Sequence, residues 1–430
     1  MLTDVLSMLA PQNRRLFKLN ILTQTANDEF LLEHFSGTEE LSKLYEFDLA
    51  LLSQQSDVKL KSLIGSQATI EIELSNGSFR YINGYVQRFS TQGSDGGYVR
   101  YAAVLGPWLW MLTCRFDTRI FQEKSVQAVV SEVFAGFGTL AKYEFRVSKS
   151  LKSHSYITQY RESDFNFVQR LLESEGLFYY FEHTADSHLM VITDDSSTLL
   201  PLPEQPQIRY HSASVTETAD SITQWQSTRQ LQSGQIAVRT FDYRQPRNFL
   251  PVTMQSLNQQ GDVDRFEIYD FPGQYTHGSY EDGEAIVRNR IEALELMGKT
   301  FYGESNCRAM KPGYTFELIQ HYLHDTGDAE NRKFLLLSVE HRGSNNYMTG
   351  DQAGYVNRFV CVRKKIAYRP QLNTRKPLIN GPQTAIVVGP PGEEIFTDEL
   401  GRVKLQFHWD RQGQFNDHSS CWVRVAQSGA

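Results

Sequence analysis

Short alternating segments between tight turns constrain this chain most, and they are clearest towards its C-terminal end. From Arg402 to Phe407 polar and apolar residues alternate, which is the period of a half-buried β-strand because successive side chains point to opposite faces. We expect the apolar residues to share the buried face, with the polar ones opposite: Val403, Leu405 and Phe407 against Arg402, Lys404 and Gln406. Two neighbouring strands are predicted at Gln383–Val388 and Trp422–Val425. Three short strands on tight turns predict the start of a small OB-fold over residues 383–430.

Strand signals also fill the N-terminal region, with no helix between them. Ala68–Leu74 alternates, and Asn76-Gly77 is typical of the turn of a β-hairpin. Strands that are so close in sequence pair antiparallel, and a meander of them can close on itself. We therefore predict a first β-barrel over residues 12–114.

A helical period begins at Ser125. Apolar residues recur at helical spacing from there, which predicts an amphipathic helix with Ser125 as its N-cap and Gly136 after its end. A second helix is predicted from Asp164 to Glu175, with Ser163 as its cap and an apolar stripe at Phe165, Val168, Leu171 and Leu172. Because strands flank these helices, residues 115–205 are predicted to form an α+β domain.

Strand signals resume after a proline-rich linker. Strands are predicted at Ser221–Trp225, Gln235–Phe241, Cys307–Met310, Thr315–Ile319 and Phe334–His341, and a helix at about Gly283–Met297. We predict a second β-barrel over residues 206–370, with a helical insertion at about 245–302. Residues 371–382 contain several prolines and glycines and are the predicted linker to the OB segment.

Composition excludes several classes of function. The net charge is -7 in a chain of 430 residues, whereas a nucleic-acid partner requires a basic stripe. The four cysteines are far apart and form no CxxC pair, so we expect reduced thiols. No secretory leader is recognisable at the N-terminus, and no stretch approaches the roughly 20 apolar residues of a membrane span. These features predict synthesis and folding in the cytoplasm.

Two segments imitate nucleotide-binding motifs. Gly136–Ala141 fits GxGxxA, and Gly298–Thr300 imitates the end of a P-loop. Each follows a predicted helix, whereas both motifs require a strand before the glycines so that free backbone N–H groups face the phosphates. A helix end is the favoured interpretation of both segments, and no cofactor site is predicted.

Two groups contain side chains that metals accept. The first is His408, Asp410, Asp417, His418 and Cys421; the second is His321, His324 and Asp325. These residues fall at predicted strand ends and turns, so a structural role is favoured over a metal site. The GxSxG motif of hydrolases is absent, since Gly303–Cys307 lacks its final glycine. We predict no catalytic, cofactor-binding or metal-binding residues.

Four longer segments resemble the VgrG spike proteins of type VI secretion systems, which are relatives of contractile-phage tail hubs. They are QYRESDFNFVQRLLESEGLFYYFEH, YDFPGQYTHGSYEDGEA, PGYTFELIQH, and EEIFTDELGRVKLQFHWDR followed by SSCWVRVAQ. The resemblance covers nearly the whole chain. It implies a mainly β fold with α+β insertions: two antiparallel β-barrel head domains of the phage tail hub type, followed by the start of an OB-fold neck that is truncated before a β-helix needle.

The resemblance also implies a function and partners. Three chains would form a homotrimer with pseudo-sixfold symmetry that caps the hexameric tube protein Hcp. Baseplate components would surround it, and the needle, which this sequence lacks, would carry a tip protein and effectors. Sheath contraction would secrete the spike into the medium or a target cell and puncture membranes. Neither a nucleic acid nor a small-molecule substrate is expected.

Two alternatives remain open from the sequence. One is a hydrolytic effector whose catalytic domain lies beyond residue 430. The other is a carbohydrate-binding OB module, for which Trp409 or Trp422 could provide the aromatic platform.

Overall fold

The computed structural model describes residues 15–22, 30–94, 97–211, 220–242, 244–257, 266–273, 277–324, 328–345, 347 and 353–426. Within these ranges no helix is both long and apolar enough to cross a membrane. The chain divides into two compact units. The first contains the described residues of Met1–Trp108, Lys142–Ser148 and Leu177–Gln371, and the second contains those of Leu109–Ala141, Lys149–Gly176 and Leu372–Ala430.

The first unit begins with six antiparallel strands and one helical turn, α1 (Leu60–Leu63). The strands are β1 (Phe17–Ile21), β2 (Leu31–Glu40), β3 (Glu46–Ser53), β4 (Gln67–Glu73), β5 (Phe79–Ser94) and β6 (Val99–Gly106). They pair in the order β1-β4-β5-β6-β3-β2, and β1 and β2 lie next to each other. Their apolar faces enclose fully buried aromatic rings, among them Phe17, Phe35 and Phe47. The antiparallel pairing is as predicted, but only β4-β5-β6 form a meander, because β1 pairs with β4 and β6 pairs with β3.

The middle of the chain supplies strands to both units. In order these are β7 (Phe116–Phe121), β8 (Lys124–Ser125), β9 (Tyr143–Arg146), β10 (Ser153–His154), β11 (Ile157–Ser163), β12 (Phe178–His183) and β13 (His188–Thr193). The helices α2 (Val126–Ala135) and α3 (Asp164–Ser174) lie between them. Strands β12, β13 and β9 form a small sheet of the first unit. In the second unit β7 pairs with β11, β8 pairs with β10, and α2 packs against α3.

Both predicted helix caps of this region are confirmed. The Ser125 hydroxyl accepts a hydrogen bond from the backbone N–H of Ala128, and the Ser163 hydroxyl accepts one from Asn166. The apolar stripe of α3 differs from the prediction, because Phe165 is only half-buried and Phe167 is fully buried. Phe167 stacks on Phe121 of β7 with 5.6 Å between ring centroids. The partner strand therefore decides which face of the helix is covered.

The first unit continues with β14 (Gln207–Tyr210), β15 (Ser221–Arg229), β19 (Lys299–Ser305), β20 (Thr315–Ile319), β21 (Lys333–Ser344) and β22 (Gly354–Arg363). These six strands form a closed ring in the order β21-β20-β14-β15-β19-β22, because β22 also pairs with β21. Between β15 and β19, an insertion contains β16 (Gln235–Val238), β17 (Val252–Gln255), β18 (Glu267–Asp270) and the helix α4 (Tyr280–Gly298). Short 3₁₀ helices occupy Trp108–Cys114, Gly138–Leu140, Ser196–Thr198 and Ala329–Arg332.

One predicted strand of this region is wrong. Cys307–Met310 is a turn, and the strand lies at Lys299–Ser305, directly after α4. The backbone N–H of Cys307 donates to the hydroxyl of Ser305 at 2.8 Å, which ends the strand. The carbonyls of Arg308 and Met310 accept hydrogen bonds from Arg80. The side chain of Arg80 thus satisfies backbone carbonyls that a neighbouring strand would otherwise satisfy.

The last two strands, β23 (Ala385–Val388) and β24 (Lys404–Phe407), pair antiparallel in the second unit. The predicted strand Trp422–Val425 is reduced to one bridge, between Val423 and Val403. One reason is that the hydroxyl of Ser420 accepts the backbone N–H of Leu405 in place of a ladder carbonyl. The predicted faces of β24 also differ from the structure, because Gln406 is the buried residue of this strand.

Candidate functional site

The first metal-like group forms no metal site in the structure. His408 and His418 are exposed, and Cys421 is half-buried. Asp410 is buried, and its Oδ1 accepts a hydrogen bond from the backbone N–H of Gln412 at 3.1 Å, which closes the turn after β24. In the part of the chain that the structure describes, no three His, Cys, Asp or Glu side chains are arranged to hold a metal ion.

The second metal-like group belongs to an aromatic cluster of the second barrel. The rings of His321 and His324 lie 4.7 Å apart, and the indole N–H of Trp225 donates to Nε2 of His324 at 3.2 Å. That nitrogen is therefore an acceptor already in use. Asp325, the third predicted member, lies outside the described residues.

The nucleotide-like segments are helix ends, as predicted. The backbone N–H of Gly136 donates to the carbonyls of Phe134 and Val133 and thus caps α2. Helix α4 includes Gly298, and β19 begins at the next residue, so this segment contains no loop in which a phosphate could lie.

The two tryptophans considered for sugar binding contact their own surroundings. Trp409 donates its indole N–H to Gln383 at 2.9 Å and stacks on Phe407 with 5.0 Å between centroids. Trp422 lies 5.0 Å from the ring of Phe396, and the ammonium of Lys404 lies over its face. Part of each aromatic face is therefore covered.

The most developed polar site lies in the first unit, where the two barrels join. Strands β2 and β21 pair antiparallel over seven residues, from His34–Ser344 to Glu40–Ser338. This ladder makes one twelve-stranded sheet from both barrels. We call the side chains buried around it the joint cluster: Glu39, Arg80, His183, His341, Tyr355 and Asn357.

Glu39 and Arg80 form the centre of the joint cluster. They are 5% and 4% exposed, and the guanidinium donates from Nη2 to the carboxylate. Burial alone would raise the pKa of Glu39, but Arg80 and the imidazoles of His183 and His341 outweigh it and hold the pKa well below its usual range. The carboxylate is therefore ionised and paired inside the protein, where an unpaired charge is costly.

Arg80 also connects the two barrels. It lies on β5 of the first barrel, and its Nη1 donates to the carbonyls of Arg308 and Met310 at 3.1 and 2.6 Å. Those carbonyls belong to the turn between β19 and β20 of the second barrel. One side chain thus neutralises a buried carboxylate and satisfies two backbone acceptors, which fixes the barrels to each other.

A chain of hydrogen bonds orients His341. Its Nε2 lies 2.9 Å from a carboxylate oxygen of Glu39, and its Nδ1 lies 2.7 Å from the hydroxyl of Tyr355. The side-chain amide of Asn357 donates to that hydroxyl at 3.2 Å, so the hydroxyl can donate to Nδ1. Burial and the charge of Arg80 lower the pKa of His341. The imidazole is therefore neutral, with its proton on the side of Glu39.

A second imidazole is fixed nearby. The Nε2 of His188 accepts the backbone N–H of Trp108 at 2.9 Å, and its Nδ1 lies 2.8 Å from the side-chain oxygen of Asn83. Burial, then the neighbouring His183 and Lys142, hold the pKa of His188 well below its usual range. A neutral imidazole protonated on Nδ1 satisfies both contacts.

Sequence reasoning missed the joint cluster, although one signal was present. Arg80 is two residues before Ile82 and therefore lies on the same, apolar face of β5. Glu39 likewise lies on the face of β2 that contains Phe35. A charged residue at a core-facing position requires a buried partner of opposite charge. The charged centre of this cluster is buried and links the two barrels.

Most of the chain matches a known family. Residues 38–347 match the family described as phage tail baseplate hub (GPD). The type VI secretion system spike proteins VgrG1b and VgrG1a of Pseudomonas aeruginosa are 35% and 34% identical to this chain over 404 and 408 residues. The alignments cover 93% and 94% of this chain but 53% and 62% of those relatives, so the chain spans little more than half of their length.

The fold matches that of a solved structure. An Escherichia coli component of the type VI secretion system, described as structurally similar to the T4 bacteriophage tail proteins gp27 and gp5, superposes with a TM-score of 0.66 at 17% identity. The match covers 95% of this chain and 93% of that chain. The predicted fold class, mainly β with barrels of the tail hub type, is thereby confirmed.

Proposed function

The chain belongs to the phage tail baseplate hub family, and on that premise we propose that it is the head of a VgrG-type spike, assembled as a homotrimer. The observation that carries the proposal is the joint between two six-stranded barrels in one chain. Three such chains present six barrels around an axis, which matches a sixfold tube on one side and a threefold needle on the other. The buried charges of the joint, Glu39 and Arg80, are paired with each other.

The proposed partners follow from that symmetry and from the relatives. The six barrels cap the hexameric tube protein Hcp, baseplate components surround the trimer, and a needle beyond the OB segment carries a tip protein and effectors. The spike is assembled in the cytoplasm and then secreted, when sheath contraction drives it through a target membrane. The type VI spike proteins that align over most of this chain support these assignments.

The proposed role is mechanical and not enzymatic. The buried Glu39–Arg80 ion pair and the neutral His341 beside it lie at the joint of the two barrels, and each of the three is no more than 5% exposed. The relatives named above do not support the alternative of a hydrolytic effector.

We also propose the domain limits derived from the sequence: 12–114 and 206–370 for the barrels, 115–205 for the α+β domain, 245–302 for the insertion, 371–382 for the linker and 383–430 for the start of the OB-fold. The strands of the two barrels, at Phe17–Gly106 and Gln207–Arg363, support the barrel limits.

Sedimentation tests the assembly. Analytical ultracentrifugation of this chain across the micromolar range is expected to give a trimer, followed by co-sedimentation with Hcp rings at one trimer per ring. A monomer at every concentration, with no association with the rings, would contradict the proposal. A trimer that ignores the rings would keep the assembly and refute the partner.

A further inference from the structure

Three cations, which we call the cationic mouth, line the interior of the second barrel at the end where β19 begins: Arg229, Lys299 and Arg363. Arg229 lies directly opposite Lys299 in the ladder between β15 and β19, so their side chains share a face. Phe301 of β19 pairs with Cys361 of β22 in the same way, and both are buried in the core of the barrel. Lys299 lies two residues before Phe301 and therefore on the same face. Arg363 lies two residues after Cys361, which places it level with Lys299.

Aromatic rings form a floor beneath these cations. The ammonium of Lys299 lies over the ring of Phe301, 5.3 Å from its centroid. Phe301 stacks on Trp225 and meets Phe334 edge to face, with 5.3 and 5.0 Å between centroids. The imidazole of His324 lies 5.9 Å from the ring of Phe301. An apolar floor with a few polar groups above it is typical of ligand sites, which often occupy the mouths of β-barrels.

Among the residues that the structure describes, no carboxylate forms an ion pair with the cationic mouth. Glu317 of β20 lies 3.2 Å from Arg332 instead, and Glu330 of the adjoining 3₁₀ helix binds Lys333. Like charges directly opposite each other weaken a ladder, and a cation on the inner face of a barrel normally has a partner of opposite charge. The joint cluster meets that requirement with Glu39, whereas the cationic mouth does not.

The donors of the cationic mouth are only partly used. Oδ1 of Asn331 accepts hydrogen bonds from Nη1 of Arg363 at 2.8 Å and from the ammonium of Lys365 at 2.9 Å. Nε of Arg363 is shielded from solvent and has no acceptor among the described residues. Burial and the neighbouring cations, Arg363 first, lower the pKa of Lys299. One neutral amide oxygen thus serves two cations, and an anion would bind them more strongly.

The end of helix α4 does not supply the missing negative charge. The helix ends at Gly298, directly before Lys299. The C-terminus of a helix is equivalent to about half a negative charge, and its effect falls off within the last turn. This is favourable for Lys299 but smaller than the three positive charges of the cationic mouth. The compensating charge must therefore come from a ligand.

We propose that the cationic mouth is a binding site for a phosphate group. A phosphate monoester carries about -1.5 to -2 charges at neutral pH, whereas a carboxylate carries one, so phosphate neutralises more of the three cations. Arg229 and Arg363 can each donate two hydrogen bonds to its oxygens, and Lys299 acts as a point charge above the aromatic floor. The group can belong to free phosphate or to the headgroup of a lipid.

Titration with inorganic phosphate tests the site. Calorimetry at pH 7.5, with the ionic strength held constant by sodium chloride, is expected to show one site per chain. Lys299→Met and Arg229→Met should each weaken binding at least about tenfold, because each removes a charged donor. Lys61→Met, at an exposed lysine of the first barrel, is the matched control and should bind phosphate as the unmodified chain does.

Thermal unfolding separates a binding role from a structural one. Without phosphate, Lys299→Met should melt no lower than the unmodified chain, because the substitution removes one of several like charges. Added phosphate should raise the melting temperature of the unmodified chain, since a ligand of the folded state stabilises it. The same addition should raise that of Lys299→Met less. A variant that melts lower without phosphate and gains as much from it would show that Lys299 serves the fold alone.

Vesicles distinguish the two sources of the phosphate group. Co-sedimentation with vesicles that contain phosphatidic acid, but not with phosphatidylcholine alone, and its loss in Lys299→Met assign a lipid headgroup. Binding of inorganic phosphate without binding to these vesicles assigns a soluble phosphate. Three results overturn the inference: no binding to either probe, binding that Lys299→Met and Arg229→Met weaken no more than Lys61→Met, and acetate binding as tight as that of phosphate.

Discussion

At the scale of single residues, Arg80 decides whether the joint cluster is stable. Its guanidinium neutralises Glu39, which lies on another strand of the first barrel, and donates to two backbone carbonyls of the second barrel. The net contribution of the ion pair to the free energy of unfolding is smaller than the attraction between its charges, because removing both charges from water is unfavourable. The larger effect appears when one partner is removed.

We predict that Arg80→Met lowers the free energy of unfolding by about 3–5 kcal/mol, because the carboxylate of Glu39 is left buried without its cation. Arg88→Met, on the same strand, is the matched control: its guanidinium is exposed and lies 3.8 Å from Asp48, so a loss below about 1 kcal/mol is expected. Denaturant unfolding measures both variants.

The double variant Glu39→Leu/Arg80→Met separates the two contributions. Replacing both members of a buried pair by apolar residues is often close to neutral, so it should recover most of the loss. An Arg80→Met variant as stable as the Arg88→Met control would show that the pair does not hold the barrels together.

At the scale of elements, the ladder between β2 and β21 depends on glycines that let aromatic rings lie close to the backbone. A Cβ atom on Gly343 would lie 2.4 Å from the ring of Phe35, and one on Gly37 would lie 2.2 Å from the ring of Phe47. The rings of Phe35 and Phe47 fill the first barrel beside the ladder, with 6.3 Å between their centroids. A larger residue at either position must displace a buried ring.

Gly343→Val is expected to lower the free energy of unfolding by about 1–3 kcal/mol, because the added methyl groups overpack the space that Phe35 fills. Gly354→Val serves as the control, since a Cβ atom on Gly354 meets nothing within 4 Å and valine suits a strand. Thermal unfolding of both variants compares them. Equal melting temperatures would mean that the joint can adjust without cost.

At the scale of the whole molecule, the sequence predicted what depends on near neighbours. The antiparallel β4-β5-β6 meander, the caps Ser125 and Ser163 and the fold class follow from periodicity, turn residues and a resemblance. The pairing of strands between two barrels that are far apart in sequence cannot be predicted in this way, because an alternating pattern is the same whichever strand lies beside it. The joint between β2 and β21 therefore required coordinates, and so did the burial of Gln406, whose side chain bonds the carbonyls of Phe407 and Asp410.

The buried imidazoles give the folded chain a predictable response to acid. The pKa values of His188 and His341 lie below the ordinary value of 6.5 because both are buried. As the pH falls below that value, the unfolded chain binds protons at these residues and the folded chain does not, so stability decreases. The limiting slope is about 1.4 kcal/mol per pH unit for each group.

Glu39 adds a second loss at lower pH. Its pKa in the folded chain lies well below the ordinary 4.5, so its contribution is present above that value and is lost as the pH falls further.

We expect the free energy of unfolding, measured with denaturant from pH 7.5 to 5, to fall first through the histidines. His188→Gln, whose amide can keep one donor and one acceptor, should flatten the curve by one group's share, and His418→Gln, at an exposed side chain, should leave it unchanged. A stability that stays constant from pH 7.5 to 5 would mean that these imidazoles do not resist protonation in the folded chain.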